Sequence, residues 1–480
     1  MGKRMKWFIV RSYPAPTPNP ARRRTLPKDG LRFAAGAFVV GRRPTGLPAA
    51  GPRFLRIRGQ TIFINIVKWS GPFYDVSELG LMPNRSRSYD ALLREHLSSH
   101  RQMALVSGPR QVGKTTACRA VADQYLNWDN LDDRRRLLAG PTAIGNAVGI
   151  DRLRARPPVV VLDELHKYSK WKALLKGLFD TYGERVKWIV TGSSRLDVFR
   201  RGGDSLMGRY LLYRIHPWSV AECLHPDIPA KAIRPPREID PDDWEALCLH
   251  GGFPEPFLKR DPRFSNRWRS LRYEQLSKED MRDVTRVQDL GSIEVLMQIL
   301  GERSAQQVVY SNLATEIGTS VDTVRRWLDL LGRLHFGFLL RPWFKNVTKS
   351  LRKEPKWFLR DWSGITDTGA KAETMVACHL LKAVEGWTDL GLGVHELRYL
   401  RDKVKREVDF AIVRDGKPWI LVEVKKSDTN LSPSLAHFQA QTGAEHAFQV
   451  VMDLPYEDAN CFEQRKPMVV PAKTFLSQLL

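Results

Sequence analysis

One contiguous stretch restricts this 480-residue chain more than any other: Gly108-Pro109-Arg110-Gln111-Val112-Gly113-Lys114-Thr115, followed by Thr116. The apolar run Met103–Val106 precedes it as a short buried strand, and a helical pattern over Thr116–Tyr125 follows. A glycine-bounded strand-to-helix turn that ends in Lys-Thr is built to hold phosphate. Its glycines let backbone N–H groups wrap an anion, and the helix N-terminus adds a favourable partial charge. Residues Gly108 to Thr116 are therefore expected to cradle ATP, with Lys114 on the β and γ phosphates and the Thr115 hydroxyl on Mg²⁺.

A second element supports that reading. Val159-Val160-Val161-Leu162-Asp163-Glu164 is a continuous apolar strand that ends in two carboxylates. A run apolar on both faces suits a central parallel strand, and acids at its C-terminal end fall where doubly wound sheets bind ligands. Asp163 is expected in the Mg²⁺ shell and Glu164 as general base for the attacking water. A third strand, Val186–Val190, runs into Thr191-Gly192-Ser193-Ser194. A hydroxyl there suits either the γ-phosphate or a helix cap.

GPRQVGKTT, VVVLDELHK, VTGSSRLD, Ser205–Tyr210 (SLMGRY), Gly251–Pro256 (GGFPEP) and Arg282–Val284 occur in that order. Together they resemble prokaryotic AAA-type ATPases that carry a C-terminal domain of unknown function with a restriction-endonuclease-like core. The resemblance covers about residues 85–455. It implies Lys114, Glu164, Ser193 and Arg209 as catalytic residues, with Ser193 as polar sensor. Arg209 would neutralise γ-phosphate charge in this chain or in a neighbour, and an ordinary salt bridge is the alternative reading. The role of the Gly251–Glu255 signature does not follow from its residues.

From Pro217 to Gln298 the pattern is mainly helical and suits a lid over the nucleotide domain. Asn312–Leu331 then reads as helix, tight turn at Gly318, and a second helix capped by Ser320 with an apolar stripe of Val324, Trp327, Leu328 and Leu331. With the strand-like Phe336–Arg341 behind it, this is a winged helix-turn-helix pattern. It serves DNA reading in some proteins and plain packing in others. Further on, Asp409 heads the strand Phe410–Val413, and the next strand carries Glu423 and Lys425 on one face. An Asp followed by Glu-x-Lys on a paired strand is the pattern of Mg²⁺-dependent endonucleases, in which carboxylates hold the metal and the lysine activates water. The resemblance adds Glu373, so that Glu373, Asp409, Glu423 and Lys425 form an expected second metal site.

The expected fold is thus α/β in several parts. They are a basic, poorly ordered extension (1–81), a P-loop doubly wound ATPase domain (82–220), a helical lid (221–305), a winged-helix-like element (306–345) and a restriction-endonuclease-like α/β domain (346–480). Charge is unevenly spread. The net of +23 places 15 basic against 3 acidic residues in the first 81 positions, and ten against two in Arg325–Arg360. The first segment fits a basic arm or an extension from an upstream start, since Met82 precedes the first well-patterned helix. The second stretch, with Trp327, Trp343 and Trp357 interleaved, suits DNA or RNA bound through residues 312–360. No run approaches the roughly 18 apolar residues of a membrane span. Five cysteines without a CxxC pair fit reduced thiols in a cytoplasmic protein. Two functions stand: a Mg²⁺-dependent ATPase that repositions its C-terminal module, alone or as a homo-oligomer, and a nucleic-acid-binding protein or nuclease switched by ATP.

Overall fold

The computed structural model describes residues 53–57 and 60–64 by their backbone and residues 85–192, 206–277, 290–344 and 354–480 in full. The chain divides into two units, Met1–Asp75 and Val76–Leu480. In the first, β1 (Arg53–Ile57) pairs antiparallel with β2 (Gln60–Ile64).

The second unit opens with the helix Ser88–Ser99 and β3 (Met103–Ser107). Next come β4 (Gln124–Asn127), β5 (Val159–Asp163), β6 (Lys187–Gly192) and β7 (Tyr210–Arg214). All five pair in parallel in the order β4-β5-β6-β3-β7. Strands β3 and β5 are buried along their whole length, as their uninterrupted apolar runs require of a sheet covered on both faces. One difference from the sequence pattern matters for the site. The helix after the glycine loop spans only Lys114–Arg119, and Tyr125 lies on β4. Pairing of Gln124–Asn127 with Val160–Asp163 overrides the helical propensity of that stretch.

Beyond β7 the helices Val220–Leu224, Pro241–His250, Pro254–Lys259, Pro262–Gln275 and Leu290–Glu302 follow. The helix pair Tyr310–Ile317 and Val321–Arg333 turns at Gly318, whose φ of 71° is left-handed, and Ser320 accepts from the Thr323 N–H at 3.2 Å. The two strands behind it, β8 (Gly337–Leu340) and β9 (Lys356–Leu359), form an antiparallel pair. Trp357 at the centre of β9 is 0 % exposed, and the strand is also tied to the 305–308 segment through Ala305 N–H to Trp357 O and Val308 N–H to Pro355 O, both 2.7 Å. These strands therefore lie inside the molecule.

The long helix Thr368–Asp389 leads to a second sheet: β10 (His395–Arg401), β11 (Glu407–Arg414), β12 (Lys417–Lys425), β13 (His446–Val451) and β14 (Met468–Pro471) in that spatial order. The first three are antiparallel and the last two join in parallel. Helix Thr368–Asp389 shares one apolar core with this sheet, and Leu435 and Phe438 of helix Pro433–Thr442 pack in another with Val408, Ala411 and Leu421. Trp218, Val220, Leu247 and Phe257 belong to the first of these cores, so the helices after β7 and the C-terminal sheet share one interior.

Polar groups reinforce that junction. Glu222, 2 % exposed, receives Arg87 through Nε (3.0 Å) and Nη2 (2.7 Å), and the Lys382 ammonium at 2.5 Å. Lys382, Glu385 and Asp389 share one face of their helix, at spacings of three and four residues. Glu385 meets His216 at 2.8 Å, and Asp389 meets Arg214 of β7 at 2.5 Å. Burial holds His216 down at about 4, so it is neutral at pH 7; Arg360 Nη1 lies 3.1 Å from its Nδ1. Burial alone would raise Glu222, but Arg87 and Lys382 override it and hold the carboxyl at about 2. Lys382 is itself lowered to about 8, because burial and the repulsion of Arg87 outweigh its one carboxylate.

A carboxyl held below its ordinary value of about 4.3 stabilises the fold above that pH and loses the contribution as pH falls toward 2. We predict that the contribution from Glu222 is complete above its ordinary range and declines as pH falls from there toward 2. Glu222→Ala should cost about 3–5 kcal/mol at pH 7, since two buried cations lose their partner. Denaturant titrations of both proteins from pH 7 to pH 3 check this; equal stability at pH 7 would refute it.

Candidate active site

Strands β3, β6 and β5 end side by side, with Ser107, Thr191 and Asp163 at or next to their last residues. From β3 the chain enters Gly108 at φ 151°, where a Cβ would lie 2.3 Å from the Ile215 carbonyl oxygen, so only glycine fits. Gln111 (φ 61°) and Gly113 (φ 96°) take left-handed conformations, and helix Lys114–Arg119 starts directly after them. The loop is thereby curled around the helix N-terminus. Pro109, Val112 and Lys114 are buried, Arg110 is half-buried, and Gln111, Thr115 and Thr116 are exposed. The Lys114 ammonium donates to the carbonyls of Gly108 (2.9 Å) and Pro109 (2.6 Å). Burial lowers its pKa against the attraction of Glu164 and Asp163.

Asp163 at the end of β5 is buried and accepts hydrogen bonds from the Thr191 hydroxyl of β6, the Tyr125 hydroxyl of β4 and the Glu164 N–H. Burial, with Asp163 beside it, pushes the Tyr125 hydroxyl above its ordinary range. Glu164 follows in a left-handed conformation, φ 54°. Its Oε2 is buried without a hydrogen-bond partner, 3.7 Å from His166 Nε2 and 3.8 Å from Lys167 Nζ. Burial, with Asp163 alongside, raises the Glu164 carboxyl against the pull of Lys114. A raised, unsatisfied carboxyl in a strained residue beside a phosphate loop is the arrangement a proton acceptor needs.

The loop is seated from below by residues far away in sequence. Arg87 Nη1 donates to the Val112 carbonyl at 2.7 Å, and its Nη2 to the His216 carbonyl at 2.7 Å. Gly251–Pro256 packs here too: Phe253 lies in one apolar cluster with Val112, Ala117 and Tyr89, and the Trp218 N–H donates to Gly252 O at 2.6 Å. This contact gives the Gly251–Glu255 signature a structural role under the loop.

The other expected residues fall elsewhere. Arg209 precedes β7, and its carbonyl receives the Met103 N–H at the start of β3. It therefore sits at the opposite edge of the sheet from Gly108, roughly 15 Å away along strands that rise about 3.3 Å per residue. There it pairs with Asp180 at 2.7 Å on the surface. The expectation of Arg209 acting on its own chain's loop is corrected accordingly. Ser193 and Arg282–Val284 lie outside the described residues.

With this geometry in view, three family models match successive segments: an AAA domain over residues 100–224, a domain of unknown function (DUF8612) over 241–367, and another (DUF4143) over 368–473. Residues 100–224 are a P-loop domain of the AAA type. Uncharacterized proteins of Mycobacterium bovis and Mycobacterium tuberculosis are each 24 % identical over 360 residues, covering 71 % of this chain and 74 % of theirs. A structure of the Aeropyrum pernix ORC1 protein in complex with DNA covers 62 % of this chain and 94 % of its own, at 15 % identity and a TM-score of 0.29. Caenorhabditis elegans PCH-2 covers 50 % and 65 %, at 12 % identity and a TM-score of 0.20. Likenesses this slight carry no argument about fold or ligand. No helix among the described residues is long and apolar enough to cross a membrane.

Outside the AAA domain, the C-terminal sheet brings Asp409, Glu423 and Lys425 together beside Glu373, and adds two residues that sequence did not suggest. The Lys356 ammonium of β9 lies 2.9 Å from Glu373, 2.6 Å from Glu407 and 3.4 Å from Asp409. Lys425 meets Glu423 at 2.9 Å. Burial and Asp409 raise both Glu373 and Glu423. Among the described residues no group of three or more His, Cys, Asp or Glu is placed to hold a metal ion.

The basic stretch Arg325–Arg360 is also rearranged. Lys356 and Arg360 are buried and paired inward, Trp357 is core, and residues 345–353 with their four cations are not described. On helix Val321–Arg333, Arg325 and Arg326 are exposed together with Asp322 and Asp329, and Arg325 lies 3.7 Å from Asp322. The described part of this stretch is therefore not the uniformly basic, aromatic surface its composition suggests.

Gly108→Ala must displace the Ile215 backbone or distort the loop. We expect nucleotide affinity at least about 10-fold weaker, from strain of about 1–3 kcal/mol, with the far-ultraviolet circular dichroism unchanged. Isothermal titration with ATP checks it, and wild-type affinity would contradict it.

Proposed function

We propose that this chain is an ATP-hydrolysing enzyme whose AAA domain passes its nucleotide state to the C-terminal sheet through helix Thr368–Asp389. The observation that carries the enzymatic part is the meeting of Lys114, Thr115, Asp163 and Glu164 at one edge of a parallel sheet, with the Glu164 Oε2 buried and unsatisfied.

The residues fit ATP with Mg²⁺. The backbone N–H groups around Gly113 and the start of helix Lys114–Arg119 face an anion. Lys114, satisfied by two carbonyls of its own loop, exchanges them for phosphate oxygens. Thr115 and Asp163 are hard oxygen ligands of the kind Mg²⁺ takes. Mg²⁺, when bound, neutralises charge on the β and γ phosphates. Glu164, whose carboxylate burial makes more basic, orients the attacking water and takes its proton. Tyr125 and Thr191 hold Asp163 in place by donating to its carboxylate.

Transmission rests on Arg87. It touches the loop at Val112 and, through Glu222, the ammonium of Lys382 on the C-terminal helix. A shift of the loop on binding phosphate is thus felt two contacts away in the other domain. The shared apolar core keeps the helices after β7 and the C-terminal sheet packed together.

We predict that Lys114→Ala abolishes nucleotide binding. Glu164→Gln should keep ATP affinity within a few fold and lower kcat by about 10²–10⁴. Steady-state phosphate release and nucleotide titration of both variants test this. Undiminished turnover in Glu164→Gln would remove Glu164 from the mechanism.

A further inference from the structure

The acidic pocket of the C-terminal domain has the residue types of a metal-dependent nuclease site, and the structure places a cation in it that the chain itself supplies. Lys356 is 5 % exposed, and its ammonium touches three carboxylates from two elements: Glu373 from helix Thr368–Asp389, and Glu407 and Asp409 from β11. The second oxygen of Asp409 accepts the Val424 N–H at 2.9 Å, and Glu407 also holds Arg401 at 2.5 Å. Glu423 faces Lys425. Four carboxylates therefore meet three cations. Removing Lys356 would leave a formal charge of −2, which is what one divalent ion neutralises; with Lys356 present the pocket is already close to balance.

We propose that Lys356 is a built-in cation that takes the place of a divalent metal among Glu373, Glu407 and Asp409, so that the pocket is a socket for β9 and not a metal centre for phosphodiester cleavage. On this reading Lys356 fills the place that the sequence pattern offers to a second metal ion among Glu373, Asp409, Glu423 and Lys425.

Three features make the lysine a fixture rather than a passing side chain. Its strand is hydrogen-bonded on both edges, to β8 and to the 305–308 segment. Trp357 and Phe358 beside it are fully buried, with the Phe358 ring 5.5 Å from that of Phe410 in β11. The Ser304 hydroxyl joins Thr374, one residue from Glu373, at 2.8 Å and accepts the Leu359 N–H at 3.1 Å. Burial alone would lower the Lys356 pKa, yet Glu373, Asp409 and Glu407 raise it well above the lysine range, so the ammonium persists at any physiological pH. Because Lys356 belongs to the 241–367 segment and its carboxylates to 368–473, the contact also locks these two family segments together.

The test uses nucleotide-free full-length protein and Mn²⁺, followed by electron paramagnetic resonance of the free ion. Wild type should show no Mn²⁺ binding that Asp409→Asn removes. Lys356→Met should gain one equivalent of Mn²⁺, and adding Asp409→Asn should abolish it. Wild-type binding sensitive to Asp409→Asn overturns the proposal, as does a folded Lys356→Met protein that gains none. If Lys356→Met does not fold, the comparison of wild type with Asp409→Asn decides alone: Asp409-dependent binding overturns the proposal, and its absence upholds it.

Discussion

The carboxylate of Glu222 is the point on which the arrangement of this molecule turns. It is buried, so its charge is tolerable only with partners, and it has two: Arg87, which also holds the phosphate loop, and Lys382, which belongs to the C-terminal helix. The Ser88 hydroxyl and N–H donate to the same oxygen at 3.0 and 3.2 Å, which adds the start of the first helix. A charge that could be satisfied within one domain is instead satisfied from two places, the start of the first helix and the C-terminal helix. The nucleotide loop, the segment after β7 and the C-terminal sheet consequently share one electrostatic keystone.

Two acidic sites in the chain show how the same groups lead to different chemistry. At the end of β5, the lysine that faces Asp163 and Glu164 is bonded to carbonyls of its own loop, contacts that a phosphate can replace. Glu164 keeps an unsatisfied oxygen, so the site has capacity left for a ligand and a proton. In the C-terminal pocket the lysine comes from a buried strand and bonds directly to the acids. Capacity is filled by the protein itself. The two clusters differ in the source of the cation, not in the identity of the carboxylates.

Much of this was legible where the residues that act together are neighbours in sequence. The glycine loop, the acids closing β5 and the Ser320-capped helix all announce themselves by local spacing, because backbone geometry there is set within a turn or two. Tyr125 was hidden by its own surroundings: a helical pattern runs through it, and only pairing with β5 makes it a strand residue that bonds Asp163. Arg87 and Glu222 stand 135 positions apart and Glu222 and Lys382 160, with nothing in the local pattern of any to mark the others. Lys356 and Arg360 count as surface charge by composition, yet both are buried, since a net charge says nothing of which way a side chain turns. Arg209 shows the reverse case: its place in a motif says nothing of which end of the sheet it occupies, and the parallel pairing puts it at the end away from its own chain's loop, beside Asp180.

The central claim is that nucleotide at the loop is felt by helix Thr368–Asp389 through Arg87. Hydrogen–deuterium exchange of peptides from that helix, with and without a non-hydrolysable ATP analogue, measures it directly. The account predicts a change in protection on nucleotide binding in the wild type, and loss of that change in Arg87→Met while the analogue still binds. Identical exchange of the helix with and without nucleotide in the wild-type protein would contradict it.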